Sequence, residues 1–301
     1  MKDRRDIVIS PYAGGLGDSL CFSTLPEIYA RKGFRVLIGR PAVEPRIRNP
    51  ETTRLVWELN PYVSGFVDEV GMTFTHREMH RWIWGHLETR ILVEAMEALH
   101  GFKPIHKLPK IFYRPKWRPE FGETIFADPS SISQPISPQV FGSFVDHLCR
   151  ARDVNRKSIV LLRSNYAGSH GAQTLIGNAE YTVADIFEYC DLISSCRLFI
   201  AAESGGAILG SAIRGSDPMP EILSLFTTFA FNDRLFQFPN VRYCVTGKMT
   251  DDYLIHAPRA EARLVPSPNM IVDNTPSRWR WLRSLGCSHA RPHANASVSP
   301  S

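Results

Sequence analysis

A short apolar run, Ile7-Val8-Ile9, leads within a few residues into Gly14-Gly15-Leu16-Gly17-Asp18, and nothing else in the chain restricts its fold as strongly. A strand that turns at once into a helix, expected here over residues 19–31, is the opening of a βαβ unit. Glycines at such a turn carry no Cβ. Backbone N–H groups there can approach another group closely, at the positive end of the helix dipole. Asp18 adds a carboxylate at the same place. Its plainest structural use is as the N-cap of the helix, and its chemical use is as a base.

The same alternation continues. Strands are predicted at residues 6–10, 34–38 and 65–70, with helices at 19–31 (stopped by Gly33), 50–59 and 77–100 (stopped by Gly101). Residues 112–122 then read F-Y-R-P-K-W-R-P-E-F-G, with two prolines and no period, which marks a linker. Beyond it, strands are predicted at 124–127, 158–163, 198–202, 221–226 and 241–245, and helices at 138–152, 183–194 and 207–213. The expected class is therefore α/β, with two Rossmann-like doubly wound domains, residues 1–115 and 122–275, facing a central cleft. Thr275-Pro276 opens a predicted C-terminal helix over 276–288, with Trp279, Trp281 and Leu282 on its apolar side, and the polar residues 289–301 read as a disordered tail.

A chain of 301 residues is long enough for two modest domains, and its apolar runs are too short to cross a bilayer. No apolar signal segment follows the N-terminus. Six cysteines occur without a C-x-x-C pair, which fits a reducing compartment. These features point to the cytoplasm. The net charge of +5 is unevenly spread: residues 76–118 hold His76, Arg77, His80, Arg81, His86, Arg90, Lys103, Lys107, Lys110, Arg114, Lys116 and Arg118, interleaved with Trp82, Trp84, Phe112, Tyr113 and Trp117. Most of this stretch reads as a solvated face with aromatics packed beneath. Its other reading is contact with an anionic glycan, a membrane surface at the inner face or nucleic acid, of which nucleic acid is not expected.

Four loops are candidate sites. The first, Gly14 to Asp18, lacks the third glycine of a dinucleotide fingerprint, since Leu20 stands there, and strand two ends in Gly39-Arg40 without an acid for a ribose. The second, Ala202-Glu203-Ser204-Gly205-Gly206, follows a strand and precedes a helix. Its N–H groups suit a phosphate, and Glu203 suits sugar hydroxyls. The same residues resemble a nucleophile elbow with Ser204 as nucleophile, for which Asp251 or Asp252 and His256 follow in the right order but are crowded together. The third, Arg163-Ser164 and onward, sits at the carboxyl end of a strand, where Arg163 can neutralise a diphosphate or pair with an acid. Ser130 and Ser131 form a weaker fourth. No H-E-x-x-H, Cys/His cluster or D-x-D pair is present, so no metal site or cofactor is expected.

Taken together, these motifs resemble the GT-B glycosyltransferases, specifically the lipopolysaccharide heptosyltransferase group, glycosyltransferase family 9. The matching residues are Gly17-Asp18-Ser19-Leu20 with Thr24-Leu25-Pro26, and Cys190-Asp191-Leu192-Ile193 with Leu198 to Gly206. The Gly-Gly-Leu-Gly-Asp wording is also similar to glycogen and starch synthases, which are much longer. The chain departs from the group at Glu203, where aspartate is usual, and at Ile208, where histidine is usual. The resemblance implies an inverting, metal-independent transfer from a nucleotide-sugar to a glycan or lipid-linked acceptor. Asp18 would be the base. Gly14, Gly15, Gly17, Arg163, Ser164, Glu203, Ser204, Gly205 and Gly206 would hold the donor and its phosphates. A serine hydrolase and a non-catalytic sugar or nucleotide binder are the other readings.

Overall fold

A computed structural model describes residues 5–11, 15–39, 50–71, 91–130, 136–164, 179–202, 204–226, 238–245 and 254–256. Met1–Ala260 form one compact unit and Glu261–Ser301 a second, and all described residues belong to the first. The expected C-terminal helix and tail, most of the 77–100 helix, Gly14 and Glu203 lie outside the described residues.

The first half builds a parallel sheet in the order β1-β2-β3, from Asp6–Ile9, Arg35–Gly39 and Val63–Val67. Its helices are α1 (Leu16–Phe22), α2 (Leu25–Arg31), α3 (Pro50–Thr53), which runs on as a π-helix over Arg54–Glu58, and α4 (Leu92–Leu99). The single helix expected over 19–31 is thus two. Pro26 has no N–H to donate and its ring crowds the carbonyl four residues back, so the ladder breaks at Ser23-Thr24. Ser23 Oγ turns back to donate to the Leu20 carbonyl at 2.6 Å. The helix also starts earlier than expected, with Gly15 as N-cap, so Asp18 lies inside the first turn and is not the cap.

The second half is a seven-stranded sheet in the order β10-β9-β8-β7-β4-β5-β6. Its strands are β4 (Ile125–Asp128), β5 (Ile159–Ser164), β6 (Ala179–Val183), β7 (Leu198–Ala202), β8 (Glu221–Phe226), β9 (Arg242–Val245) and β10 (Leu254–His256). All pair in parallel except β10, which runs antiparallel to β9. Helix α5 (Pro138–Arg152) lays Phe141, Phe144, Val145 and Leu148 on Ile125, Ile159, Ile200 and Leu223 of one face. Burying each such side chain contributes about 1.5–3 kcal/mol. Helices α6 (Ile186–Ser195) and α7 (Gly205–Arg214) cover the other face. Gly210 permits that approach, for a Cβ there would lie 3.2 Å from Ile222 and 3.3 Å from Phe199.

Sheet order matters for function. From β4 the chain winds outward through β5 to β6, then returns to the opposite side of β4 as β7. The order reverses between β4 and β7, and ligands of open α/β sheets bind outside the carboxyl ends at such a point.

The expected linker is an ordered strap. Lys110 binds the first half, its N–H donating to Ser23 Oγ at 2.8 Å and its ammonium to Glu27 at 2.5 Å. A few residues on, the buried Asp191 of α6 accepts the Tyr113 hydroxyl and the Lys116 N–H, both at 2.8 Å. Arg118 then donates its N–H to Ser195 at 2.8 Å and its guanidinium to Glu188 at 3.1 Å. Of the described basic residues of this stretch, Lys110 and Arg118 are paired internally, while Lys103, Lys107, Arg114 and Lys116, with Ile105 and Trp117, are exposed; His76, Arg77, His80, Arg81, His86 and Arg90 lie outside the described residues.

Candidate functional site

The turns of the two halves meet backbone to backbone. A Cβ on Gly17 would stand 2.8 Å from Ile208 Cδ1 and 3.5 Å from Gly205 Cα. A Cβ on Gly205 would stand 3.0 Å from Leu16 Cβ and 3.1 Å from the Gly17 nitrogen. Gly205 is held close against Leu16 Cβ and the Gly17 backbone, while Gly17 faces the flexible end of Ile208, so the helix start of each half is pressed against that of the other. The space over Gly17, expected to admit a phosphate, is taken by α7.

Asp18 is one residue beyond this seam and half-buried. Its carboxylate folds back over the helix start, where a Cβ on Gly15 would be 2.8 Å from Oδ2. A carboxylate in the first turn is favoured by the helix dipole. One turn on, burial first and the Asp18 charge second push the Cys21 thiol well above its ordinary pKa, so it stays protonated.

On the second side, Ser204 caps α7, its Oγ accepting the Gly206 N–H at 3.2 Å. The helix begins at Gly205, so Gly205 and Gly206 form its first turn, two residues earlier than predicted. This turn follows directly on β7, and β7 lies beside β4, so it sits at the reversal point. Ser204 has φ −160° and ψ 177°, ordinary extended backbone, where a nucleophile elbow is a sharp, strained turn. Asp251 and Asp252 lie outside the described residues, and His256 is in the last strand, β10.

Arg163 stands at the end of β5 as expected, followed by Ser164. Its guanidinium grips Glu180 of β6 with two nitrogens, one at 2.6 Å. The acid-paired reading of Arg163 therefore describes its position here.

Sequence reading missed three groups around this site. Asp128 ends β4 with both carboxylate oxygens engaged, by Ser130 and by the Tyr189 hydroxyl. Burial raises its pKa against the pull of those hydrogen bonds. Tyr189 was hidden inside a helix pattern. Glu51 of α3 reaches across to the N-terminus of α6. The signal for Asp128 was Asp-Pro-Ser after an apolar strand, a turn in which the acid binds the N–H two residues on.

Among the described residues, no three His, Cys, Asp or Glu side chains stand together as metal ligands, and no helix is long and apolar enough to cross a membrane. Cys21, Cys149, Cys190, Cys196 and Cys244 are buried.

No family model and no curated protein matches the chain. Solved structures do. The chain is similar to the iron-containing dodecameric glycosyltransferase TibC of enterotoxigenic Escherichia coli, at 15% identity and TM-score 0.54, over 95% of this chain and 74% of that one. A structure of TibC, an iron-containing heptosyltransferase, in complex with ADP-D-beta-D-heptose matches at 13% identity and TM-score 0.55, covering 95% and 73%. A family 9 glycosyltransferase from Veillonella parvula matches at 12% identity and TM-score 0.45, over 75% and 81%, too low a score to argue from. The TibC likeness shows the fold, two parallel-sheet α/β halves of the GT-B kind, as the sequence led us to expect.

Proposed function

We propose that this chain is a glycosyltransferase that moves a sugar from a nucleotide-sugar donor to a glycan or lipid-linked acceptor, with inversion and without a metal ion. The observation that supports the reading is the close approach of Gly17, the residue before Asp18, to Gly205 of the turn at the sheet's reversal point. Residues 1–115 form the acceptor half and residues 122–275 the donor half. Asp18 takes the proton from the acceptor hydroxyl as its oxygen attacks the anomeric carbon. The bond to the nucleoside diphosphate breaks on the opposite face, and that diphosphate leaves. Ser204, Gly205 and Gly206 at the start of α7 receive its negative charge, with Glu203 toward the ribose. Gly15, without a Cβ, leaves room for the Asp18 carboxylate, and Gly17 leaves room for the start of α7. Arg163 and Ser164 add a further contact, for which Arg163 must turn from Glu180.

TibC is described as iron-containing, and the present reading assigns no cofactor to this chain. Peripheral membrane contact belongs to the strap, where exposed Ile105 and Trp117 are interspersed with exposed Lys103, Lys107, Arg114 and Lys116. The hydrolase reading is the weaker one, because Ser204 acts as an unstrained helix cap.

A thermal-shift series with ADP, GDP, UDP and their sugars tests the proposal. A ligand that binds the native state raises Tm by mass action. A rise with one nucleotide is expected, and none with any of them overturns the reading. Binding without turnover across acceptors would leave a nucleotide binder.

A further inference from the structure

Directly beneath the first turn of α7 lies a buried polar chain that the proposed chemistry does not use. Asp128, 5% exposed, closes β4. Its Oδ1 accepts the Ser130 N–H at 2.9 Å and the Ser130 hydroxyl, and its Oδ2 accepts the Tyr189 hydroxyl. Tyr189 is 2% exposed and stands edge-on to Phe199, with ring centroids 5.9 Å apart. Its oxygen therefore has nowhere to drift. That oxygen points at Gly206: a Cβ there would be 2.6 Å from it, while the next neighbours, Ser204 Oγ and Asp128 Oδ2, would be at 3.4 and 3.5 Å. The hydroxyl alone excludes a side chain at position 206. From the other direction the Ser204 Oγ holds the Gly206 N–H.

We propose that the Tyr189 hydroxyl, fixed by Asp128, is a positioning group for the α7 turn: it reserves position 206 for glycine and sets the direction of the turn's N–H groups toward a nucleoside diphosphate. This rests on the reading of that turn as the donor's phosphate site. The plainer alternative is that the chain merely staples α6 to β4. In that case the hydroxyl contributes to stability and leaves ligand affinity untouched.

The two differ in a double-mutant cycle on the full chain, read by calorimetric titration with ADP, GDP and UDP. Tyr189→Phe keeps the ring against Phe199 and removes one hydrogen bond, so the Kd of whichever diphosphate the unmodified protein binds rises about tenfold. Gly206→Ala drives a methyl into the hydroxyl and weakens binding further. In the Tyr189→Phe background the same Gly206→Ala change meets only ordinary contacts, so the pair binds no worse than Tyr189→Phe alone. Asp128→Asn, which preserves shape, weakens binding in the same sense as Tyr189→Phe. A lowered Tm with unchanged Kd in Tyr189→Phe and Asp128→Asn, or strictly additive losses, overturns the positioning role alone. Failure of the unmodified protein to bind any of the three diphosphates overturns the reading of the turn with it.

Discussion

The Glu51 carboxylate accepts the backbone N–H of Ile186 at 2.9 Å, so a side chain of the first half caps a helix of the second. Asp185, the residue before, caps the same helix by accepting the Glu188 N–H at 2.7 Å. Two orphan donors of α6 are thus satisfied, one of them from 135 residues away in sequence. Removing a capping group costs about 1 kcal/mol. Glu51→Ala is expected to lower stability by about that much in urea denaturation, with the loss shared by any variant that also removes the Arg54 stack on Phe187.

Asp18→Asn keeps the size of the side chain and removes the base. It is expected to leave nucleotide affinity within about twofold, while transfer falls by about 10²–10⁴. Full transfer activity in this variant would mean that another group takes the acceptor proton.

The seam between the turns makes a graded series. At Gly17 an added methyl meets the far end of the Ile208 side chain, which can rotate away. At Gly205 it meets Leu16 Cβ and backbone nitrogen, which cannot. Gly205→Ala should therefore cost about 1–3 kcal/mol, and Gly17→Ala clearly less. Ile208→Val, which deletes the Cδ1 facing Gly17, should make Gly17→Ala nearly neutral. Equal losses at both glycines in thermal denaturation would contradict this account of the seam.

Arg163 and Glu180 test the donor contact separately. If the guanidinium must leave Glu180 to meet a diphosphate, Glu180→Gln releases it and tightens nucleotide binding several-fold in titration calorimetry. Unchanged affinity would confine Arg163 to its ion pair.

His100 gives the pH dependence. It lies buried on α4's C-terminal end, its Nδ1 3.0 Å from the Tyr29 hydroxyl, and burial lowers its pKa from 6.5 to about 4. Between those values the unfolded chain takes up a proton that the folded chain refuses, so stability falls as pH drops through that window. The slope approaches about 1.4 kcal/mol per pH unit. His100→Gln is expected to flatten the fall. Glu97 acts lower on the scale. Burial raises its pKa, but hydrogen bonds from His106, the Ile105 N–H and Thr24 outweigh that and hold it below 4.5, so its contribution is lost only in stronger acid.

What was legible in the chain depended on how local its cause was. Leu198–Ala202 and Glu221–Phe226 emerged with their expected bounds, since the first is a continuous apolar run buried on both faces and the second is apolar at four of its six positions. Pro138 after Ser137 likewise marked the start of α5. Strand β6 escaped notice because Ala179-Glu180-Tyr181-Thr182 forms a sheet edge with exposed polar positions, and its conformation comes from pairing with β5. Both glycine turns were found, yet their mutual contact was not. Nothing within either segment encodes what packs on it. Asp128 and Tyr189 lie 61 residues apart and meet only once β4 and α6 are in place.

The strap between the halves has a consequence for how this chain can vary. Loops usually tolerate insertions, because lengthening them costs little entropy. Between Lys110, held by Glu27, and Tyr113, held by Asp191, that tolerance disappears. One residue more or less would displace an anchor by about 3.3–3.6 Å, beyond the reach of a hydrogen bond. The segment works as a gauge block: its residue count, rather than its side-chain chemistry alone, sets the spacing between α2, which carries Glu27, and α6, which carries Asp191.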